Sequence, residues 1–181
     1  MPSKDQHRPA DQTSKVKHAV QAVTLGALMA SNVAAPAAER AISVVETVQL
    51  AATPARTWDA INDFGAWQAW HPAFASTRVI QGDGHSKGTV RVLTTQDGGK
   101  FTEELVAFDP ATRSYQYRIL ESPAPVANYV STIQVKKSEA GSAVVWSSHF
   151  TAKDGTSEAD AKKLISGVYR AGLDHLASVL K

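Results

Sequence analysis

The chain has no cysteine, only two methionines, and no apolar run long enough to cross a bilayer. Without thiols there is no disulfide framework and no thiolate metal site, so cysteine usage tolerates an oxidising compartment without indicating one. The longest mostly apolar stretch, Ala19 to Ala30, has twelve residues, where a transmembrane helix needs about 20. Histidines stand at 7, 18, 71, 85, 149 and 175. None lies three or four residues from another, the spacing with which a helix offers two imidazoles to one metal, so no metal site is expected. Nucleotide cofactors lack a motif as well. Gly82-x-Gly84 leads into another strand-like segment rather than a helix, and Asp63-Phe64-Gly65 has neither a glycine-rich phosphate loop nor a His-Arg-Asp loop to accompany it. No cofactor is expected.

A charge of one sign is also missing. The 181 residues hold 19 Lys and Arg against 17 Asp and Glu, for a formal net charge of +2. Lys4, Arg8, Lys15 and Lys17 outnumber Asp5 and Asp11 in the first 38 residues, which leaves 15 charges of each sign in the rest. A neutral domain whose longest basic runs are Lys136-Lys137 and Lys162-Lys163 has no electrostatic footprint for nucleic acid or an anionic membrane.

What is present begins with that tail. A basic segment, the apolar run 19–30 and the small residues around Ala35-Pro36-Ala37 follow the order of a secretory signal. Residues 1–38 are therefore expected to be a secretory signal or disordered tail, cleaved near Ala37-Ala38, with a periplasmic or secreted product. An amphipathic tail on a cytosolic protein is the rival reading, because Gln21 dilutes the run and the basic segment is long.

Residues 39–181 read as one unit. Ile42 to Leu50 is β-rich, and Thr53-Pro54 opens a helix through Trp58 and Ile61. A short polar-capped helix with Trp67 and Trp70 on one face then ends at Pro72. Strands follow over Ser76–Gln81, Lys87–Thr95, Lys100–Phe108, Ser114–Glu121, Ala127–Lys136 and Ser142–Thr151, with turn residues between them. Tyr115, Tyr117 and Ile119 share one strand face, as do Tyr129, Ser131, Ile133 and Val135, so one side of an antiparallel meander is core. Ser157 caps a final helix of about 24 residues, in which Ala161, Leu164, Ile165, Val168, Gly172, Leu176 and Val179 recur at three-to-four spacing. Gly167 and Gly172 cost helix propensity and are tolerated where something approaches the backbone.

Several residues allow two readings. Arg91 and Glu103 flank the Asp97-Gly98 turn nearly opposite one another, as a cross-strand ion pair or as an anchor for a polar ligand group. Tyr117 and Tyr129 are core or ligand contacts. His71 is a capping or surface residue or, with no carboxylate partner assignable, a general base. His149 has solvent-facing parity. Trp67 and Trp70 line a pocket or plug it.

The element order, with Thr53-Pro54, Trp67-x-x-Trp-His-Pro72, Gly88-x-x-Arg91, Thr102-Glu103, Tyr117-Arg-Ile, Asn128-Tyr129 and Val145-Trp146, resembles the SRPBCC superfamily. The likeness is to its polyketide cyclase/dehydrase-like branch, which includes the periplasmic MxaD-type proteins associated with methanol oxidation. The resemblance covers residues 42–180 and implies an α+β helix-grip fold: a curved antiparallel sheet of about seven strands around a long C-terminal helix, with two short helices after the first strand. It also implies a cavity between sheet and helix, its mouth closed by Trp67 and Trp70 facing Ile165 and Tyr169. Expected ligand contacts are these four with His71, Arg91, Glu103, Tyr117, Tyr129, Ser131 and Trp146. Two functions follow: a periplasmic module that binds a small hydrophobic or aromatic molecule or docks a dehydrogenase or cytochrome, or a cyclase- or dehydratase-like enzyme using Arg91, Glu103 and a tyrosine. The first is favoured, because no base with a positioned partner can be named.

Overall fold

The computed structural model describes residues 41–181, and the expected export signal lies outside them. The elements are β1 (Ile42–Leu50), α1 (Pro54–Ile61), a single 3-10 turn (Trp67–Ala69), β2 (Phe74–Gln81), β3 (Val90–Thr95), β4 (Lys100–Asp109), β5 (Ser114–Glu121), β6 (Val126–Ser138), β7 (Gly141–Ala152) and α2 (Glu158–Val179). The seven strands form one antiparallel sheet in the order β1-β7-β6-β5-β4-β3-β2. This is the helix-grip architecture, a curved sheet holding α2.

Local chemistry sets the element ends. Thr53 caps α1 by accepting from the Arg56 amide, and Pro54 sits in the first turn, where its missing N–H costs nothing. Ser157 caps α2 by accepting from the Asp160 amide, and Glu158 and Asp160 suit the positive end of the helix dipole. Strand β3 starts at Val90 rather than Lys87, because Ser86 to Thr89 close a turn in which Gly88 takes φ +89°. The tryptophan turn lacks the expected polar cap: Ala66 precedes it, and no side chain caps it.

Because β1 pairs with β7 while β2 forms the opposite edge, the chain between them must cross the width of the sheet. That crossing carries α1, which packs on β6 and β7, and the tryptophan turn, which packs on β2. Helix α2 lies on β1 and β7. Ile165, Tyr169, Leu173 and Leu176 bury one stripe of α2 against the sheet, while Leu164 and Val179 remain half-exposed, so the apolar stripe is narrower than its spacing suggests. The core runs through Trp67, Trp146, Tyr115, Tyr117, Phe64 and Leu105, all essentially inaccessible.

The sheet parts at one place, toward the end of β5. Pairing of β5 with β6 stops at Arg118↔Val130, and Ile119 to Glu121 stay paired only to β4. Asn128, at φ +54°, marks a register shift on the other side of the gap.

Candidate functional site

Between the sheet and the first half of α2 lies a cavity of about 380 Å³, walled by Trp67, Phe74, Phe101, Glu103, Tyr117, Ile119, Tyr129, Trp146, Ile165 and Tyr169, among others. Its size is that of a small-molecule site, about 300 to 1,000 Å³, and its walls are mostly apolar with few polar groups. Thr95, Asp97 and Gly99 of the β3–β4 turn and the segment Pro123–Pro125 edge it, and Leu164 supplies an exposed apolar side chain from α2.

Strand parity puts Phe101, Glu103 and Leu105 on the inner face of β4, and the register sets Arg91 directly across from Glu103. The two form a buried ion pair. Arg91 Nε and one terminal nitrogen donate to the same carboxylate oxygen, Glu103 Oε2, at 2.9 and 2.5 Å, while the other terminal nitrogen donates to the Phe64 carbonyl at 2.7 Å. The guanidinium is sandwiched between Phe64 and Trp67, its carbon 3.7 Å from each ring centroid, a stacked geometry for which arginine is suited. Burial raises the Glu103 carboxyl above its ordinary range, and the adjacent Arg91 charge opposes that rise.

A second polar group spans the sheet and α2. Trp146 Nε1 donates to Tyr117 Oη at 3.2 Å and to Ser131 Oγ at 3.0 Å. Tyr117 and Tyr129 hydroxyls meet at 3.4 Å, Tyr129 bonds Tyr169, and Tyr169 lies 2.9 Å from Ser131 Oγ. Ser131 in turn donates to the Ser147 carbonyl at 2.8 Å. The carbonyl can only accept, which orients the whole series: Ser131 receives from Tyr169, Tyr169 from Tyr129, Tyr129 from Tyr117, and Tyr117 from the indole. Burial drives all three phenols well above their ordinary range, so they stay neutral donors.

The tryptophan turn is deeper than expected. Trp67 is 1% exposed and forms the floor of the cavity, with its N–H donated to Tyr115 Oη at 3.1 Å and edge contacts to Tyr117 and Trp146. Trp70 is buried behind it and does not line the cavity. Neither is a gate at the mouth. His71 is not a surface residue: it is fully buried, its Nε2 donates to the Val168 carbonyl at 3.0 Å, and its Nδ1 caps the chain locally by accepting from the Ala73 amide at 3.2 Å. Both ring nitrogens are committed, which fixes the neutral Nε2–H tautomer and removes His71 as a base. Desolvation lowers its pKa from 6.5 to about 4. Gly172 makes room for it, since a Cβ there would stand 2.5 Å from His71 Cδ2. Nothing comes within 4 Å of the same position at Gly167.

Of the residues singled out in the sequence, the cavity thus gathers Trp67, Glu103, Tyr117, Tyr129, Trp146, Ile165 and Tyr169. Trp70, His71, Arg91 and Ser131 stand one layer back and support it. His149 is exposed, as its parity implied, and bonds Ser43 Oγ. The sequence places Ile119, Leu164 and Val168 on apolar strand and helix faces without marking them as ligand contacts, and it leaves Phe74 and Phe101 unmarked, although parity with Glu103 would have found Phe101. A groove of about 670 Å³ occupies the gap between β5 and β6 and shares Ile119 and Tyr129 with the cavity. Among the described residues, no three His, Asp or Glu side chains converge as a metal site would require. No helix among them is long and apolar enough to cross a membrane.

Comparison with known proteins agrees with this architecture. XoxI from Bacillus cereus is 33% identical, with a TM-score of 0.72 over 77% of this chain and 95% of its own. An uncharacterised protein from Bacillus thuringiensis is likewise 33% identical, with a TM-score of 0.71 over 76% and 98%. Ara h 8.0201, 19% identical at a TM-score of 0.66 over 78% and 98%, shares the fold. No curated protein matches the chain. Residues 41–181 match the family described as polyketide cyclase / dehydrase and lipid transport, a span that takes in every strand and both helices; the chain belongs to that family.

Proposed function

We propose that the protein binds one small, largely apolar molecule in the cavity under α2, as a carrier or accessory module. The observation that carries this reading is the cavity itself: about 380 Å³ of apolar, aromatic-walled space whose side-chain donors are already spent on neighbouring groups. An enzyme of this design needs a base aimed at the substrate with a partner orienting it. Here Glu103 is paired with Arg91, and His71 has both nitrogens occupied. Native mass spectrometry of protein purified from its source tests the reading by showing a retained small molecule, and displacement of a fluorescent apolar probe measures its affinity. Absence of both retention and probe binding would sink it.

A cyclase- or dehydratase-like reaction is the second reading. The raised Glu103 carboxyl against the cavity favours it, since a carboxyl displaced upward suits acid–base work. Turnover of a polyketide-type substrate, lost in Glu103→Gln, would replace the carrier reading with this one.

The finer parts of the proposal come from the sequence. The tail order supports export with cleavage near Ala37-Ala38, and the MxaD-like resemblance supports a periplasmic dehydrogenase or cytochrome as partner. N-terminal sequencing of fractionated cells tests export, and an intact Met1 on a cytoplasmic species would end it. Co-purification of a redox protein with the exported form tests the partner.

A further inference from the structure

The cavity's hydrogen-bonding valences are lopsided. Every donor in the tyrosine series is spent: the indole N–H of Trp146 on Tyr117 and Ser131, the three phenols on one another and on Ser131, and Ser131 on a carbonyl. The Trp67 N–H is spent on Tyr115. Arg91 directs both of its carboxylate bonds to Glu103 Oε2. Among the described residues, no group bonds the other oxygen, Oε1, although the Glu103 side chain is only about 5% accessible and that accessibility opens into the cavity it lines. With no protein partner and only the cavity to open into, Oε1 is a place where a ligand group can take the bond that water otherwise supplies.

We infer that the molecule held in the cavity presents a neutral hydrogen-bond donor, a phenolic or alcoholic hydroxyl, to Glu103 Oε1. This deepens the proposed ligand-binding function and rests on it. The partner chemistry follows by elimination. A carboxylate or other anion would face Oε1, and the side-chain donors named above as lining the cavity are spent; the unpaired donors Trp70 Nε1 and Ser148 Oγ are buried behind the wall and do not line it. A cation would have to be desolvated in an apolar chamber beside a carboxylate whose charge Arg91 already balances from 2.5 Å. A hydroxyl brings a donor at no charge cost, and its ring or chain fills the aromatic space above Trp67 and Tyr117.

Three probes of similar ring size separate the possibilities: 1-naphthol, 1-methoxynaphthalene and 1-naphthoate, each titrated calorimetrically into the full chain. A buried bond to a charged acceptor predicts that 1-naphthol binds roughly tenfold or more tighter than 1-methoxynaphthalene, with 1-naphthoate weakest. Equal binding of the naphthol and its methyl ether would overturn the hydroxyl assignment while leaving cavity binding intact. Binding of none of the three would overturn the ligand-binding reading and this inference with it. Glu103→Gln, whose amide can keep one oxygen on Arg91 and turn its NH₂ to the cavity, should erase the preference for 1-naphthol. A preference that survives the substitution would remove Glu103 from the site. The wild-type ranking decides the hydroxyl assignment whether or not that variant folds.

Discussion

His71 should make this fold acid-sensitive in a defined interval. Its ring is sealed by Trp67, Trp70, Phe74 and Trp146, its nitrogens hold the Val168 carbonyl and the Ala73 amide, and Arg91 and His175 add positive charge nearby. Protonation would turn Nδ1 from acceptor into donor against an amide that is itself a donor. The folded state therefore keeps the ring neutral down to about pH 4, whereas the unfolded chain protonates it near 6.5. Between those values the unfolded state binds the extra proton, so stability is complete above 6.5, falls as pH drops, and has lost the full contribution below about 4. At about 1.36 kcal/mol per pH unit, the interval comes to about 3 kcal/mol. The perturbation is His71→Gln, which retains a donor for Val168 and does not titrate. Urea unfolding of both proteins, followed by tryptophan fluorescence across pH 7.5 to 4, gives the stability difference at each pH. Carboxylates, including the raised Glu103, titrate alike in both proteins and cancel. The difference should be constant above pH 6.5 and shrink by about 3 kcal/mol toward pH 4. A difference that stays flat over the whole range would refute a neutral, buried His71.

Two glycines on α2 should respond to alanine with opposite signs. Gly172→Ala drives a methyl into His71 and Trp70 and should cost about 1 to 3 kcal/mol despite its better helix propensity, whereas Gly167→Ala meets open space and should gain up to about 1 kcal/mol; thermal unfolding of both variants checks the contrast. Glu103→Ala should cost about 3 to 5 kcal/mol by orphaning the buried guanidinium, and a paired change of Arg91→Met with Glu103→Leu should recover most of it. Simple addition of the losses from Arg91→Met alone and Glu103→Leu alone in denaturant titrations would show that the pair is not coupled.

Much of this was readable from local chemistry. Thr53-Pro54 and Ser157 announce their helices because capping is a matter of a few adjacent atoms, and Arg91 meets Glu103 because a hairpin turn sets its own register. Alternation in β5 and β6 put Tyr117, Tyr129 and Ser131 on the inner face for the same reason. The depth of the tryptophan turn was not readable. His71 is buried by an absent side chain at Gly172, a hundred residues further on, and its nitrogens are occupied by Ala73 and by a carbonyl of α2. Val168 shows in the helical spacing and Phe101 in its parity with Glu103, but periodicity marks a buried face without telling core from cavity wall. Where β5 and β6 part, Asn128 takes a positive φ, a conformation asparagine tolerates without advertising.

The fastenings of α2 are unevenly distributed. Ser166 bonds Glu46, Val168 holds His71, Tyr169 joins Ser131 and Tyr129, and Arg170 reaches the Thr47 carbonyl, all within five residues at the middle of the helix. The turns before them roof the empty space, where Leu164 and Ile165 line it and Ala161 alone is fully buried, while Leu173 and Leu176 continue the buried stripe on the other side. A rod pinned at its centre with one end over a void behaves as a lever: the least costly way to admit a larger guest is to lift the first two turns and leave the rest seated. Amide exchange along α2 should accordingly slow sharply past Ser166, and an occupied cavity should extend that slow zone toward the N-terminal end of the helix.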